Sequence, residues 1–367
     1  MAAKTRVIIV DDSQVMREMI SQIVNGQPDM VVAGTAQDPF DAREKIKALS
    51  PDVVLLDIEM PRMDGLTFLE KIMRLRPMPV VMVSTLTVAG GEATLRALQL
   101  GAVDFVTKPT MHKSNTMVST FAADIASKVR IAAAAAPRIA SRGWVGAAPA
   151  HAVPRTPVTL GVVARNAVIA IGASTGGIEA ITTVLQGLPE SVPPILIVQH
   201  LPQPFTRLFA ARLNTMCALK VKEAAQGDLL HPGHVYIAPG NQHLKLGRGV
   251  SGWITLLSDD PLLNGHRPSV DHLFDSVAQQ AGRHAVGVIL SGMGADGAAG
   301  LLRMKQAGAM TIGQDAASCV VYGMPRVAFE LGAVDRQAPL DDVSREIVTC
   351  LQSLGNLTTA RMRGGRL

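Results

Sequence analysis

Short apolar runs recur along the chain, and most are followed by a stretch whose apolar positions return at helical spacing. In the first third, RVIIV (6–10), MVVAGTA (30–36), Asp52 to Leu56, PVVMVS (79–84) and AVDFVT (102–107) read as buried strands. Helices are predicted over Gln14 to Val24, which Ser13 can cap, and from about Pro39 to Leu49. The alternation resumes with a strand over Ala167 to Ile171, a Gly-rich turn over 172–177 and a helix from Ile178 to about Leu185. PILIVQ (194–199), a helix over Phe205 to Asn214, short strands at 221–224 and 235–238, and a hairpin strand over 250–257 follow. A helix over Ser269 to Gln280, the strand AVGVIL (285–290), a helix to about Ala307, the strand MTIGQ (310–314) and a helix from Met324 complete the pattern. The fold class is therefore α/β: two doubly wound parallel-sheet domains, the first five-stranded, the second a larger α/β/α domain.

Between the two halves, residues 131–163 are rich in Ala and Pro, show no lasting period and lack acidic residues. Their prolines are expected to break any helix, although the first alanines can extend the one before. This stretch reads as an exposed tether, with Trp144 its one anchor-like side chain. The expected layout is a first domain at 1–124, a linker at 125–163, a second domain at 164–356 and a basic C-terminal tail at 357–367.

Length and composition agree: 367 residues suit two domains, and 48% hydrophobic residues supply a core for each. The three cysteines are scattered, so neither a zinc site nor a disulfide frame is expected. The opening MAAKTRVIIVDD does not read as a signal peptide, and no apolar run approaches the ~20 residues of a spanning helix. A soluble cytoplasmic protein without membrane insertion is expected. The net charge of +5 hints at nucleic acid, but only 3% of residues are aromatic and no recognition helix stands out, so no nucleic-acid partner is expected. Much of the excess charge lies between Asp124 and Glu179, where no acidic residue occurs.

The chemistry sits at the carboxyl ends of the strands, where parallel α/β sheets build their sites. In the first domain these ends carry Asp11, Asp12, Asp57, Ser84 and Lys108. Three converging carboxylates repel one another unless a cation joins them, and oxygen-only ligands with open coordination favour Mg²⁺. A carboxylate in that setting, balanced by Lys108, is suited to attack a phosphoryl group, which Ser84 can then bind.

These residues, together with Glu59-Met60-Pro61, Met63-Asp64-Gly65 and Lys108-Pro109, resemble a response-regulator receiver domain from residue 5 to about 125. The resemblance implies that Asp57 is the phospho-acceptor. It implies that Asp12, Asp57 and the backbone carbonyl of Glu59 hold Mg²⁺, with Asp11 acting directly or through water. It further implies that Ser84 and Lys108 sense the phosphoryl group and that the bond before Pro109 is cis. Phe105 stands where such domains often carry a tyrosine switch.

In the second domain, Gly172-Ala173-Ser174-Thr175-Gly176 fits the turn that lifts a nucleophilic serine above a sheet. The same geometry suits a dinucleotide phosphate, but Ile178 replaces a glycine of that pattern, and Gln199-His200 stand where a ribose-binding acid is needed. A serine nucleophile needs a base, and the base an orienting acid. His200 follows its strand directly, as Ser174 does; His243, His266 and His272 remain open as bases. Asp296 follows AVGVIL in a Gly-rich loop, with Asp260, Asp271 and Asp315 as rivals. The order Ser, His, Asp departs from that of α/β-hydrolases.

GASTGG (172–177), QHLP (199–202), Pro239-Gly240, HRPSVD (266–271), GMGADG (292–297) and SCVVYGMP (318–325) resemble the chemotaxis response-regulator methylesterases, the CheB family. The resemblance implies a Ser174–His200–Asp296 triad acting on glutamate methyl esters of chemoreceptor cytoplasmic domains. It also implies deamidation of receptor glutamines, and a chemotaxis histidine kinase as phosphodonor. No cofactor is expected for ester hydrolysis. Backbone N–H groups of the serine turn (Thr175, Gly176) and of the Met293 loop are expected to meet the oxyanion, and Arg267 to guide the acidic substrate. The unphosphorylated receiver is expected to cover the Ser174 crevice until Asp57 is phosphorylated. Rival outputs are a nucleotide-binding domain and a non-catalytic adaptor.

Overall fold

The apolar runs of the first third fold as β1 (Thr5–Val10), β2 (Met30–Ala36), β3 (Val53–Asp57), β4 (Val80–Ser84) and β5 (Asp104–Thr107). The structure is a computed structural model and describes residues 3–85, 87–109, 115–142, 167–203 and 205–364. The five strands form one parallel sheet in the order β2-β1-β3-β4-β5. Every residue of β3 and β4 is buried, as strands covered by helices on both faces must be. Helices α1 (Gln14–Asn25), α2 (Pro39–Leu49), α3 (Gly65–Leu75) and α4 (Val88–Gln99) connect them. Side chains close all four helix starts: Ser13 on α1, Asp38 on α2, Asp64 on α3 and Thr87 on α4 each accept from first-turn N–H groups. The strand order reverses between β1 and β3, which opens a crevice at their carboxyl ends.

Helix α5 (Asn115–Arg142) runs well into the stretch read as a tether, and it passes through Pro137. The expectation that this proline ends the helix is therefore corrected. A mid-helix proline costs about 3 kcal/mol. Here it lies on the exposed side, while Ile131, Ala132 and Ala135 are buried. The alanines around it are the strongest helix formers, which offsets the loss. Trp144 and the rest of 143–166 lie outside the described residues.

The chain divides into two compact units, Met1–Ala148 and Pro149–Leu367. The second holds β6 (Val168–Ala173), α6 (Gly177–Gln186), β7 (Ile195–Gln199), α7 (Phe205–Met216), β8 (Lys220–Glu223) and β9 (His234–Ile237). It continues with the antiparallel hairpin β10 (His243–Gly249) and β11 (Gly252–Ser258), then α8 (Val270–Gln280), β12 (Ala285–Ile289) and α9 (Ala298–Gln306). β13 (Met310–Gln314), α10 (Met324–Glu330), β14 (Arg336–Ala338) and α11 (Leu340–Gly364) end it. The start expected for the C-terminal tail, residue 357, thus falls inside α11.

Seven strands make a parallel sheet in the order β14-β13-β12-β6-β7-β9-β8. From β6 the chain passes to β7 and on to β8 at the sheet edge, fills the place between them with β9, and then returns to the other side of β6 at β12. That reversal puts the ends of β6, β7 and β12 side by side. Helix α8 lies close over β6 because Gly172 has no side chain: a Cβ there would stand 2.2 Å from Val270 Cγ1. Leu273, Phe274 and Val277 of α8 are fully buried beneath it, each worth about 1.5–3 kcal/mol of apolar burial. Among the described residues the cis peptide is Arg267–Pro268; the bond before Pro109, expected to be cis, is not.

Candidate active site

In the first unit, Asp11 directly follows β1 and Asp57 ends β3, and both are buried; Asp12 is exposed. Each of the three offers a carboxylate oxygen within 4.8 Å of the others. Lys108 Nζ lies 2.8 Å from Asp57 Oδ1, where it donates a hydrogen bond, and 2.9 Å from Asp11 Oδ2, where it makes an ion pair without hydrogen-bond angles. Burial pushes the Asp57 carboxyl up to about 6, although Lys108 pulls it down. Burial also works against the Lys108 ammonium, but the hydrogen bond to Asp57 and the charges of Asp57 and Asp11 prevail and raise it. Three carboxylates against one ammonium leave an excess of negative charge among oxygen donors, and a buried oxygen of Asp11 has no hydrogen bond. Both features fit a small, hard divalent cation.

Ser84 ends β4 and is buried. Its hydroxyl is turned to the start of α4: Oγ lies 3.2 Å from the Thr85 carbonyl and 3.3 Å from that of Gly90, and it accepts from Thr94 Oγ1 at 2.7 Å. Phe105 is buried, with Lys128 Nζ 4.9 Å from its ring centroid and bonded to its carbonyl.

In the second unit, Ser174 follows β6 at the reversal of the sheet and is half-buried. Its backbone is fixed on three sides. Ser174 N donates to Ser291 O at 3.0 Å, and its carbonyl accepts from Gly177 N at 2.7 Å and from Gln199 Nε2 at 2.9 Å. Gly176 forms the N-cap of α6 with φ of 78°, a left-handed conformation that glycine adopts without strain. His200 follows β7, and its backbone N–H donates to Ala173 O at 3.2 Å, which ties it beside the serine turn. His200 Nε2 lies 2.8 Å from Asp296 Oδ2. His200 Nδ1 is buried without a hydrogen-bond partner, so the imidazole and the Ser174 hydroxyl are not bonded here. Such bonds are often loose before substrate arrives.

Asp296 is buried at the N-terminus of α8, although it comes from the loop after β12. It accepts from Ser269 Oγ and Val270 N, both at 2.7 Å, from Asn264 Nδ2 at 2.9 Å and from Asp271 N at 3.3 Å. Burial raises its pKa, but the bonds from His200, Asn264 and Ser269 outweigh that and hold the carboxyl well below the usual carboxylate range. Asp296 is thus an anion fixed by a helix terminus, and its bond to Nε2 favours the His200 tautomer with the proton there.

Comparison with known proteins bears on this arrangement. The response regulator receiver domain family matches residues 7–119, and the CheB methylesterase family matches residues 169–347. A protein-glutamate methylesterase/protein-glutamine glutaminase of Paraburkholderia xenovorans (strain LB400) is 54% identical over 359 residues, covering 96% of this chain and 98% of that protein. This chain belongs to the protein-glutamate methylesterase/protein-glutamine glutaminase family. The Salmonella typhi relative of the same name is also 54% identical, covering 94% of this chain and 97% of its own. The crystal structure of the Thermotoga maritima CheB methylesterase catalytic domain is 37% identical over 50% of this chain and 98% of that one, with a TM-score of 0.49.

Within this methylesterase chain, the other residues singled out in the sequence fall in different settings. Thr175 is buried in the serine turn, and Met293 is 44% exposed on the loop after β12. Arg267 braces a loop: Nε and Nη2 donate to Asn241 Oδ1 at 3.2 and 2.9 Å, and Nη1 to the carbonyls of Asp259 and Asp260 at 3.0 and 3.2 Å. These bonds lend no support to a role on substrate. His243 is fully buried between Pro261 O and Ser269 N, Asp260 pairs with Lys245, and Asp315 bonds Ser318. Asp271 accepts from Gly300 N at 2.5 Å and from Asn264.

Two residues around the site, Gln199 and Asn264, were not assigned roles from sequence, and a third, His266, has a different setting from the one weighed. Gln199 holds the serine turn. Asn264 bridges Asp296 and Asp271. His266, kept among the candidate bases, stacks on His200. The available signal was the Asn264-Gly265 pair, which marks a tight turn.

Proposed function

We propose that this chain hydrolyses glutamate methyl esters on chemoreceptor cytoplasmic domains, and deamidates receptor glutamines, under the control of phosphorylation at Asp57. The observation that carries the reading is the His200 Nε2–Asp296 bond beside the Ser174 turn, with Nδ1 left unpaired. His200 Nδ1 takes the proton of Ser174 as Oγ attacks the ester carbonyl. The oxyanion is met by backbone N–H groups of the turn at Thr175 and Gly176 and of the Met293 loop. As the tetrahedral intermediate collapses, the ester C–O bond breaks and His200 gives its proton to the leaving methoxide, releasing methanol. A water molecule, deprotonated by His200, then cleaves the acyl-serine to a glutamate carboxylate and restores Ser174. Asp296 steadies the imidazolium in both halves. The same steps on a glutamine side chain release ammonia.

In the receiver, Asp57 supplies the nucleophilic oxygen for a phosphoryl group from a chemotaxis histidine kinase. Asp11, Asp12, Asp57 and the carbonyl of Glu59 would hold Mg²⁺, which when bound offsets charge on the phosphoryl oxygens. Lys108 pairs with the phosphoryl group, and Ser84 rotates away from Gly90 to bond it. That rotation loosens the start of α4 and shifts the population toward the active form. Substrates of this kind place the protein in the cytoplasm. Among the described residues no helix is long and apolar enough to cross a membrane.

The test is methanol release from methylated chemoreceptor by the full chain and by Ser174→Ala. Release by the wild type and none by the variant is expected; no release by the wild type would overturn the reading.

A further inference from the structure

One tight turn touches both members of the His200–Asp296 pair. Leu263 N donates to His266 O at 3.2 Å and His266 N to Leu263 O at 2.9 Å, which closes the turn. Asn264 and Gly265 between them have φ of 54° and 80°, the left-handed pair that Asn-Gly adopts in two-residue turns. From this turn Asn264 Nδ2 reaches Asp296 Oδ1 at 2.9 Å and Asp271 Oδ2 at 2.7 Å. From its far end the His266 ring lies against the His200 ring, with centroids 3.7 Å apart and planes 13° from parallel.

Burial and the adjacent His200 push His266 down to about 4, so this ring is neutral near pH 7. A neutral ring flat against His200 opposes tilting of the base out of the plane in which Nε2 meets Asp296. It also offers a π face to the imidazolium that forms when His200 takes a proton. His266 has no part in the proton transfer itself.

Resting on the function proposed above, we infer that the Leu263–His266 turn is a positioning device for the proton relay: His266 fixes the plane of His200 while Asn264 fixes Asp296. His266 acts through His200 and is a positioning residue.

The test uses the full chain as wild type, Ser174→Ala, His266→Phe, His266→Leu and His266→Ala. It measures kcat and KM for methanol release, the rate of Ser174 phosphonylation by a fluorophosphonate, and the melting temperature. Phe keeps a flat ring without titrating, and Leu keeps comparable bulk without a plane. Loss of the plane is expected to lower kcat about 10- to 100-fold in the Leu and Ala variants, with KM within about twofold and phosphonylation slowed alike. His266→Phe is expected to stay within about threefold of wild type. A folded His266→Leu as active as wild type overturns the inference, as does a folded His266→Phe no better than Leu; this comparison stands even where the Ala variant unfolds. Wild type that neither releases methanol nor takes the phosphonate label overturns the activity itself. Wild-type activity matched by the Leu variant overturns only the positioning role.

Discussion

His200 meets Asp296 through Nε2, so in the proposed reaction Nδ1 is the nitrogen left to take a proton from Ser174. In Asp296→Asn the amide can donate to Nε2 and drive the imidazole proton to Nδ1. We expect kcat for methanol release to fall about 10³- to 10⁴-fold, chiefly from the wrong tautomer. His266 carries a pH dependence. Its pKa is about 4 in the fold against 6.5 for an ordinary histidine, so between these values the unfolded chain holds more protons than the folded one. Its contribution is complete above pH 6.5 and is lost as pH falls toward 4, by at most about 1.4 kcal/mol per pH unit. Urea midpoints followed by Trp253 fluorescence in a Trp144→Phe chain should fall over this range, less steeply when His266→Phe is added. That Ser174, His200 and Asp296 fall at neighbouring strand ends could be read from sequence because each follows an apolar run that ends at the same side of the sheet. Asn264 could not, and His266 was legible only as one of several possible bases, because the loop that brings them to the site has no periodicity to betray its path.

At the scale of elements, the approach of α8 to β6 matters most. It brings Ser269 and Val270 to Asp296, and it depends on the missing side chain at Gly172. Gly172→Ala would force Val270 away. We expect a loss of about 1–3 kcal/mol in stability from overpacking, together with reduced methanol release. A melting curve and an activity assay on the same sample check both. The strands were legible because fully buried parallel strands leave unbroken apolar runs. Helix α5 was legible only at its start. A proline is a strong local stop signal, and the burial of Ile131, Ala132 and Ala135 that overrides it is a tertiary effect.

At the scale of the molecule, two sheets carry two chemistries, and the proposed coupling between them can be tested without dividing the chain. A small-molecule phosphodonor with Mg²⁺ is expected to raise methanol release by the full chain. Asp57→Asn, or removal of Mg²⁺ with a chelator, should abolish the increase while leaving the basal rate. An equal response in Asp57→Asn would dissociate the two units functionally. For such work the choice of an inactive reference matters, because Asp296 has two duties. Its carboxylate bonds His200 Nε2, and it also accepts the first N–H groups of a helix built from another part of the chain. A protein silenced there would be softened as well as inactive, and any change in how it answers the receiver would be open to either cause. Among the described residues the Ser174 hydroxyl holds no hydrogen bond, so a protein silenced at that oxygen keeps its architecture and loses only its reaction.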